Sequence, residues 1–246
     1  METSGISETI ANNMIDKKVR NNVDNALKYM KQNNINVISV FDDDYPQMLK
    51  EIYAPPICLY IKGNLQLLKM QNISLIGCRK CSQYGKKTAY YFSYNLSKAG
   101  FNIVSGLARG IDSYSHIGCL AAKGKTIAVM GSGLDNIYPK ENKQLVNEII
   151  KQNGAIITQY PLGTKPEKNN FPARNRIISG LSKAVLVIEA RAKSGTLITV
   201  DFALEQGKDV FAVPGNINSA NSVGTNELIK QGAIPVCNYK DILDNI

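Results

Sequence analysis

From residue 73 onward, short apolar runs alternate with longer segments of mixed character. ISLIG is followed by 82–98, FNIVSG by 112–123, TIAVMG by 141–151, GAIITQ by 171–181, AVLVIEA by 196–206, DVFAVPG by 222–230, and AIPVC by the end of the chain. The runs are dense in Ile and Val without clean alternation, as in strands covered on both faces. The segments between them are long enough for helices. Repeated strand–helix units of this kind predict a Rossmann-like, doubly wound α/β fold, a mainly parallel sheet with helices on both faces.

Ahead of the repeat, residues 1–34 read as one or two polar helices. NVISVF and DDDYPQMLKEIYAPPICLYIKGN read as a strand, a helix and a hairpin-like strand that leads into the sheet and packs on its edge. The expected organisation is a short N-terminal helical segment over 1–43, a Rossmann-like domain over 44–238 and a tail over 239–246, too short for a further C-terminal domain. Repeats and low-complexity tracts are not apparent.

The chain of 246 residues is 44% hydrophobic, sufficient for one large domain with a small appendage. The N-terminus METSGISETIANNMIDKKVR has no apolar signal core, and the apolar runs are short, so a cytoplasmic protein without membrane association is expected. Cys58, Cys78, Cys81, Cys119 and Cys237 are odd in number and unevenly spaced, which points to reduced thiols.

The formal net charge of +9 is unevenly spread. Residues 79–109 carry six basic side chains and no acidic one, and residues 163–193 carry seven basic against two acidic. Concentrated positive charge favours a polyanionic partner through counterion release and steered association. A solvated lysine-rich face is the plain alternative.

In a parallel sheet, ligands gather at the carboxyl ends of the strands, where glycine turns expose backbone N–H groups and helix N-termini offer partial positive charge. Four such ends carry notable residues here. After ISLIG come Arg79, Lys80 and Ser82. After FNIVSG comes LARGID, where Gly106 and Gly110 allow a tight turn, Arg109 projects and Asp112 can cap the next helix. After TIAVMG come Pro139 and Lys140 at a helix start. After GAIITQY lies a long loop with Lys165, Lys168, Phe171, Arg174 and Arg176. All four loops are expected on one edge of the sheet, merging the basic stretches into one patch.

Phe171 among these cations is the combination that stacks an unpaired base while positive groups hold its phosphates. Stapling the helix N-terminus to the core is its other reading. Other chemistries find less support. There is no GxxxxGK[ST], and the GSG at 131–133 lacks the third glycine of a dinucleotide fingerprint. Cys78 and Cys81 with His116 and Cys119 could make a zinc site, but the first pair flanks Arg79 and the second falls within a helix. His116 is expected to pack or cap a helix, and no metal, cofactor or catalytic residue is expected.

The blocks YPQMLKEIYAPPICLYIKGN, SLIGCRKCSQYG, IVSGLARGIDSYSHIGCLAAKGKTIAVMGSGLDNIYPKENKQL, FPARNRIISGLSKAVLVIEARAKSGTLITVDFALEQGKDVFAVPGNI and GTNELIKQGAIPV together resemble the DNA processing protein A family, also called Smf, over residues 44–237. The resemblance implies a cytoplasmic, non-enzymatic, dimeric mediator that binds and protects single-stranded DNA and loads the recombinase RecA onto it during natural transformation. Its phosphate loop G-S-R matches Gly77, Cys78 and Arg79, with Cys78 in place of a small hydroxyl residue. Lys140 and Lys168 look like the family's DNA-pocket lysines, and Phe171 like its stacking aromatic. The S-G-x-A-x-G-I-D signature places Ser105, Gly106, Arg109 and Gly110 at the same pocket, and F-P-x-R-N-R adds Arg174, Asn175 and Arg176. Dimerisation by resemblance falls near Phe202 and residues 223–234, including Leu228 and Ile229. No counterpart of the winged-helix-like C-terminal domain of many members is expected within this sequence, which is either naturally short or a trimmed piece. A competing expectation is a nucleotide sensor or a nucleoside-monophosphate hydrolase, since related folds cleave at PGGxGTxxE. The comparable stretch, AKSGTLITVD, lacks the glycine pair and has Thr199 where the glutamate would stand.

Overall fold

The computed structural model describes residues 17–246, which divide into two compact units meeting between Asn36 and Val37. In the first unit, helix α1 (Lys17–Gln32) places Val23, Leu27 and Met30 at helical spacing along one face. The part of the expected N-terminal helices before residue 17 lies outside the described residues.

Nine strands make one sheet: β1 (Ile35–Ser39), β2 (Cys58–Gly63), β3 (Asn72–Gly77), β4 (Asn102–Ser105), β5 (Thr126–Val129), β6 (Ala155–Thr158), β7 (Ala184–Glu189), β8 (Asp209–Ala212) and β9 (Ile234–Pro235). Their spatial order is β1-β2-β6-β5-β4-β3-β7-β8-β9. From β6 to β9 every neighbouring pair is parallel, whereas β2 joins β6 antiparallel, with Tyr60 opposite Thr158. The helices are α2 (Gln47–Lys50), α3 (Gln83–Lys98), α4 (Ile111–Ala121), α5 (Lys143–Lys151), α6 (Asn170–Gly180), α7 (Gly195–Glu205), α8 (Val223–Lys230) and α9 (Lys240–Leu243).

All six residues of β7 are buried. Val185 and Val187 enter a core with Leu49, Ile177, Ile178 and Val200 on one face. Leu186 and Ile188 enter another with Phe92, Leu96 and Ile111 on the opposite face. Burial on both sides explains why these strands show no polar alternation.

The larger compact unit spans Val37–Ile246, and β1 straddles its start. Within residues 239–246, α9 packs its fully buried Ile242 into the core with Val236 and Phe211. The run AIPVC supplies only a two-residue strand, since Pro235 has no N–H to continue a ladder.

Candidate nucleic-acid interface

The winding direction of the sheet reverses between β3 and β7, which places a crevice at their carboxyl ends. The register between these strands shifts at Ile76/Gly77, where Gly77 comes to face Glu189. A cleft of about 680 Å3 opens there, lined by the loops after β3, β5, β6 and β7 and by the first turns of α4, α6 and α7. That volume suits a nucleotide-sized ligand.

Glycines let the loops approach. At Gly110, φ is +75°, and a Cβ would lie 2.3 Å from the Cys78 carbonyl oxygen and 2.5 Å from that of Arg79. Only glycine fits this conformation and this contact. Ile111 N–H then donates to the Cys78 carbonyl at 3.2 Å, and Cys78 N–H donates to the Glu189 carbonyl at 2.9 Å, stitching three strand ends together.

Beneath the loops lie Asp112 and Arg174. The Asp112 carboxylate accepts from the N–H groups of Gly106, at 3.1 Å, and Ala108, at 3.3 Å. It therefore ties down the LARG loop instead of capping its own helix. Burial raises the Asp112 pKa against the opposing pull of Arg174. Arg174, 3% exposed, donates to the carbonyls of Gly106 and Val129. Burial lowers its pKa to about 10, with Asp112 opposing the shift. Arg174 thus spans the ends of β4 and β5 as a brace.

The Phe171 ring stands in the first turn of α6, against the backbone of Gly131; a Cβ there would lie 2.9 Å from the ring. Arg79 places its guanidinium 5.4 Å from the ring centroid, a cation–π distance. Tyr138 lies 5.6 Å from the same ring, tilted by 47°. Around them the cleft carries Arg79, Lys80, Lys168, Arg174, Arg191 and Lys193, and Asp112 is the one carboxylate among its lining residues. Ser194 caps α7 by accepting from Thr196 N–H at 3.2 Å, so that helix also presents its N-terminus to the cleft.

The cleft therefore combines an aromatic platform, cationic side chains and helix N-termini, features that suit an unpaired, phosphate-bearing strand. Comparison with known proteins agrees with this chemistry. Residues 36–246 match the family model of DNA recombination-mediator protein A. The chain belongs to this family.

Protein Smf of Escherichia coli is 41% identical over 227 residues, which cover 92% of this chain and 61% of that protein; the chain thus spans about three-fifths of this relative. The X-ray structure of DNA processing protein A from Streptococcus pneumoniae superposes with a TM-score of 0.83 at 43% identity, over 89% of this chain and 77% of that one. DNA processing protein A from Helicobacter pylori, a protein with a single-stranded DNA binding mode, superposes with a TM-score of 0.77 at 31% identity, over 85% and 94% of the two chains. The α/β fold with its mostly parallel sheet is the fold of these family structures.

The residues matched to the family's motifs divide into several groups. Gly77, Cys78, Arg79, Lys80, Lys168, Phe171, Arg174 and Asn175 line the cleft. Gly106 and Arg109 line a small recess that shares Arg79, Tyr138 and Phe171 with it. Exposed Arg109 is engaged by the Glu141 carboxylate through Nε and Nη2. Gly110 packs behind the loop.

Ser105, Ser82, Lys140 and Arg176 stand outside the cleft lining. The Ser105 hydroxyl is buried and donates to the Leu75 carbonyl at 2.7 Å. Ser82 caps α3, accepting from Gly85 N–H at 3.0 Å while its hydroxyl donates to Glu189. Lys140 is exposed at the start of a 3-10 turn. Arg176 donates to the Ala54 carbonyl at 2.9 Å and to Gln159 Oε1 at 2.6 Å, bracing α6 against neighbouring segments.

Leu228 is buried in the core, with Ile229 packed against that core. Phe202 is half-buried. Among the described residues, no three His, Cys, Asp or Glu side chains gather as a metal site. No described helix is long and apolar enough to cross a membrane.

Tyr138, Arg191, Lys193 and Ser194 were missed by the sequence reading. The signal for the last three was the position of RAKSGT directly after β7, at the reversal of strand order.

His116 is fully buried in α4. The Thr126 hydroxyl donates its single proton to the Ile103 carbonyl at 2.6 Å. The imidazole must therefore donate from Nδ1 to Thr126 Oγ1, 2.7 Å away. Burial, reinforced by Arg174, lowers the His116 pKa to about 3. It packs as a neutral ring.

Proposed function

We propose that the cleft binds single-stranded DNA, stacking a base against Phe171 and Tyr138 while Arg79, Lys80, Lys168, Arg191 and Lys193 hold phosphates. The observation that supports this best is the Arg79–Phe171–Tyr138 cluster at the centre of a cleft with six cationic side chains. Stacking is tolerant of sequence because every base has a π face, so little base preference is expected. The strand-binding relative from Helicobacter pylori adds support.

Family membership supports a mediator role. In this reading the chain works in the cytoplasm during natural transformation, shields incoming single strands and passes them to RecA without turnover. Homodimerisation engages the surface around Phe202 and Ile229. A hydrolase reading is weaker because Thr199 is buried where a catalytic carboxylate would stand, and Asp112 is held by the loop it braces.

The test is anisotropy of labelled oligo-dT and a matched duplex, followed by RecA nucleation on the coated strand. Tight, salt-sensitive binding of oligo-dT and faster nucleation are expected. A preference for duplex would overturn the reading.

A further inference from the structure

Helix α3 leaves the Arg79–Lys80 loop and carries QYGKKTAYYFSYNLSK. Lys86, Tyr90, Tyr94 and Lys98 recur every four residues and so share one face of the helix. At 1.5 Å per residue this row is about 18 Å long. Tyr90 and Tyr94 stack with ring centroids 6.1 Å apart and planes inclined by 17°. Lys98 lies 5.8 Å from the Tyr94 ring centroid. At the other end, Lys86 lies 5.5 Å from the ring of Tyr114, on α4.

The two helices are held close by Gly118, where a Cβ would lie 2.6 Å from the Tyr90 carbonyl oxygen. Tyr90 is 40% exposed, although an aromatic residue on a helix could have turned into the core. Between Glu51 and Asp112 the chain has no acidic residue, and Asp112 is buried. The face is therefore aromatic and cationic without a compensating carboxylate from its own helix. Tyr94 and Tyr114 are half-buried, so each leaves part of its ring at the surface.

We propose that this row is a second single-strand track, which receives DNA leaving the cleft over the Arg79–Lys80 loop. The proposal rests on the cleft being the primary site. Lys86 and Tyr114 meet the strand first, Tyr90 and Tyr94 offer stacking surfaces to following bases, and Lys98 engages a phosphate at the far end. Alternation of rings and cations suits a polyanion with unpaired bases.

The test compares oligo-dT of about 6 nucleotides, which the cleft alone accommodates, with oligo-dT of about 20, which reaches the row. Tyr90→Ser/Tyr94→Ser is expected to weaken the longer strand about tenfold and leave the shorter one unchanged. Tyr90→Phe/Tyr94→Phe keeps both rings and is expected to bind like the unaltered protein, with unfolding midpoints confirming that all variants fold. Undiminished binding of the longer strand by the serine variant, or equal loss for both lengths, would overturn the track. Phe171→Ala is the parallel control. If it binds both lengths normally, the cleft reading fails, and the track fails with it.

Discussion

The guanidinium of Arg79 stands 5.4 Å from the centre of the Phe171 ring, although Arg79 lies in the loop after β3 and Phe171 in the first turn of the helix after β6. Their meeting is a consequence of strand order. The reversal falls between β3 and β7, and the long segment between β6 and α6 brings Phe171 to the cleft there. In the proposed binding mode, a base entering here would gain an aromatic surface beside a cation.

Phe171→Ala is expected to weaken oligo-dT binding by about tenfold to a hundredfold, the usual consequence of losing one stacked base. Phe171→Tyr retains the ring and is expected to restore most of the affinity. Titration of a labelled strand at fixed salt measures both.

Arg109 is held at the rim by Glu141, and both side chains are exposed. Glu141→Gln removes a negative charge and frees the guanidinium. Affinity for oligo-dT is expected to rise about twofold at low salt, with the gain fading as screening increases. The unfolding midpoint should stay unchanged, because exposed ion pairs contribute little to stability.

Burial of neutral His116 makes stability depend on pH. Its pKa falls from an ordinary 6.5 to about 3 on folding, so the unfolded chain binds the extra proton between those values. Its stabilising contribution is present above pH 6.5 and is lost as pH falls toward 3. Denaturant unfolding of His116→Gln and the unaltered protein, compared across this window, should differ in slope by about 1.4 kcal/mol per pH unit. The comparison isolates His116 from Asp112, whose raised pKa acts in the opposite direction.

The strands were legible because double burial demands unbroken Ile and Val, as in AVLVIE of β7. Loop position followed from the parallel topology, and so the gathering of Arg79 with Lys168 and Phe171 was accessible from sequence. Individual side-chain directions were less accessible. Arg174 and Arg176 are two residues apart on a helix, about 200° around its axis, so both could not face one cleft. Arg174 is buried under the cleft, whereas Arg176 reaches Ala54 and Gln159. Ser82 and Ser105 look available as hydroxyls, yet their partners, Glu189 and Leu75, lie on other strands. Tyr138 was hidden because only folding brings it to Phe171.

The most direct test is the salt dependence of oligo-dT binding for the unaltered chain and for Arg79→Ala/Lys168→Ala. Losing two phosphate contacts should lower affinity and reduce the steepness of log K against log salt by about 1.4. That result would place the strand in the cleft. An unchanged slope and affinity would contradict the account and move the polyanion site elsewhere on the protein.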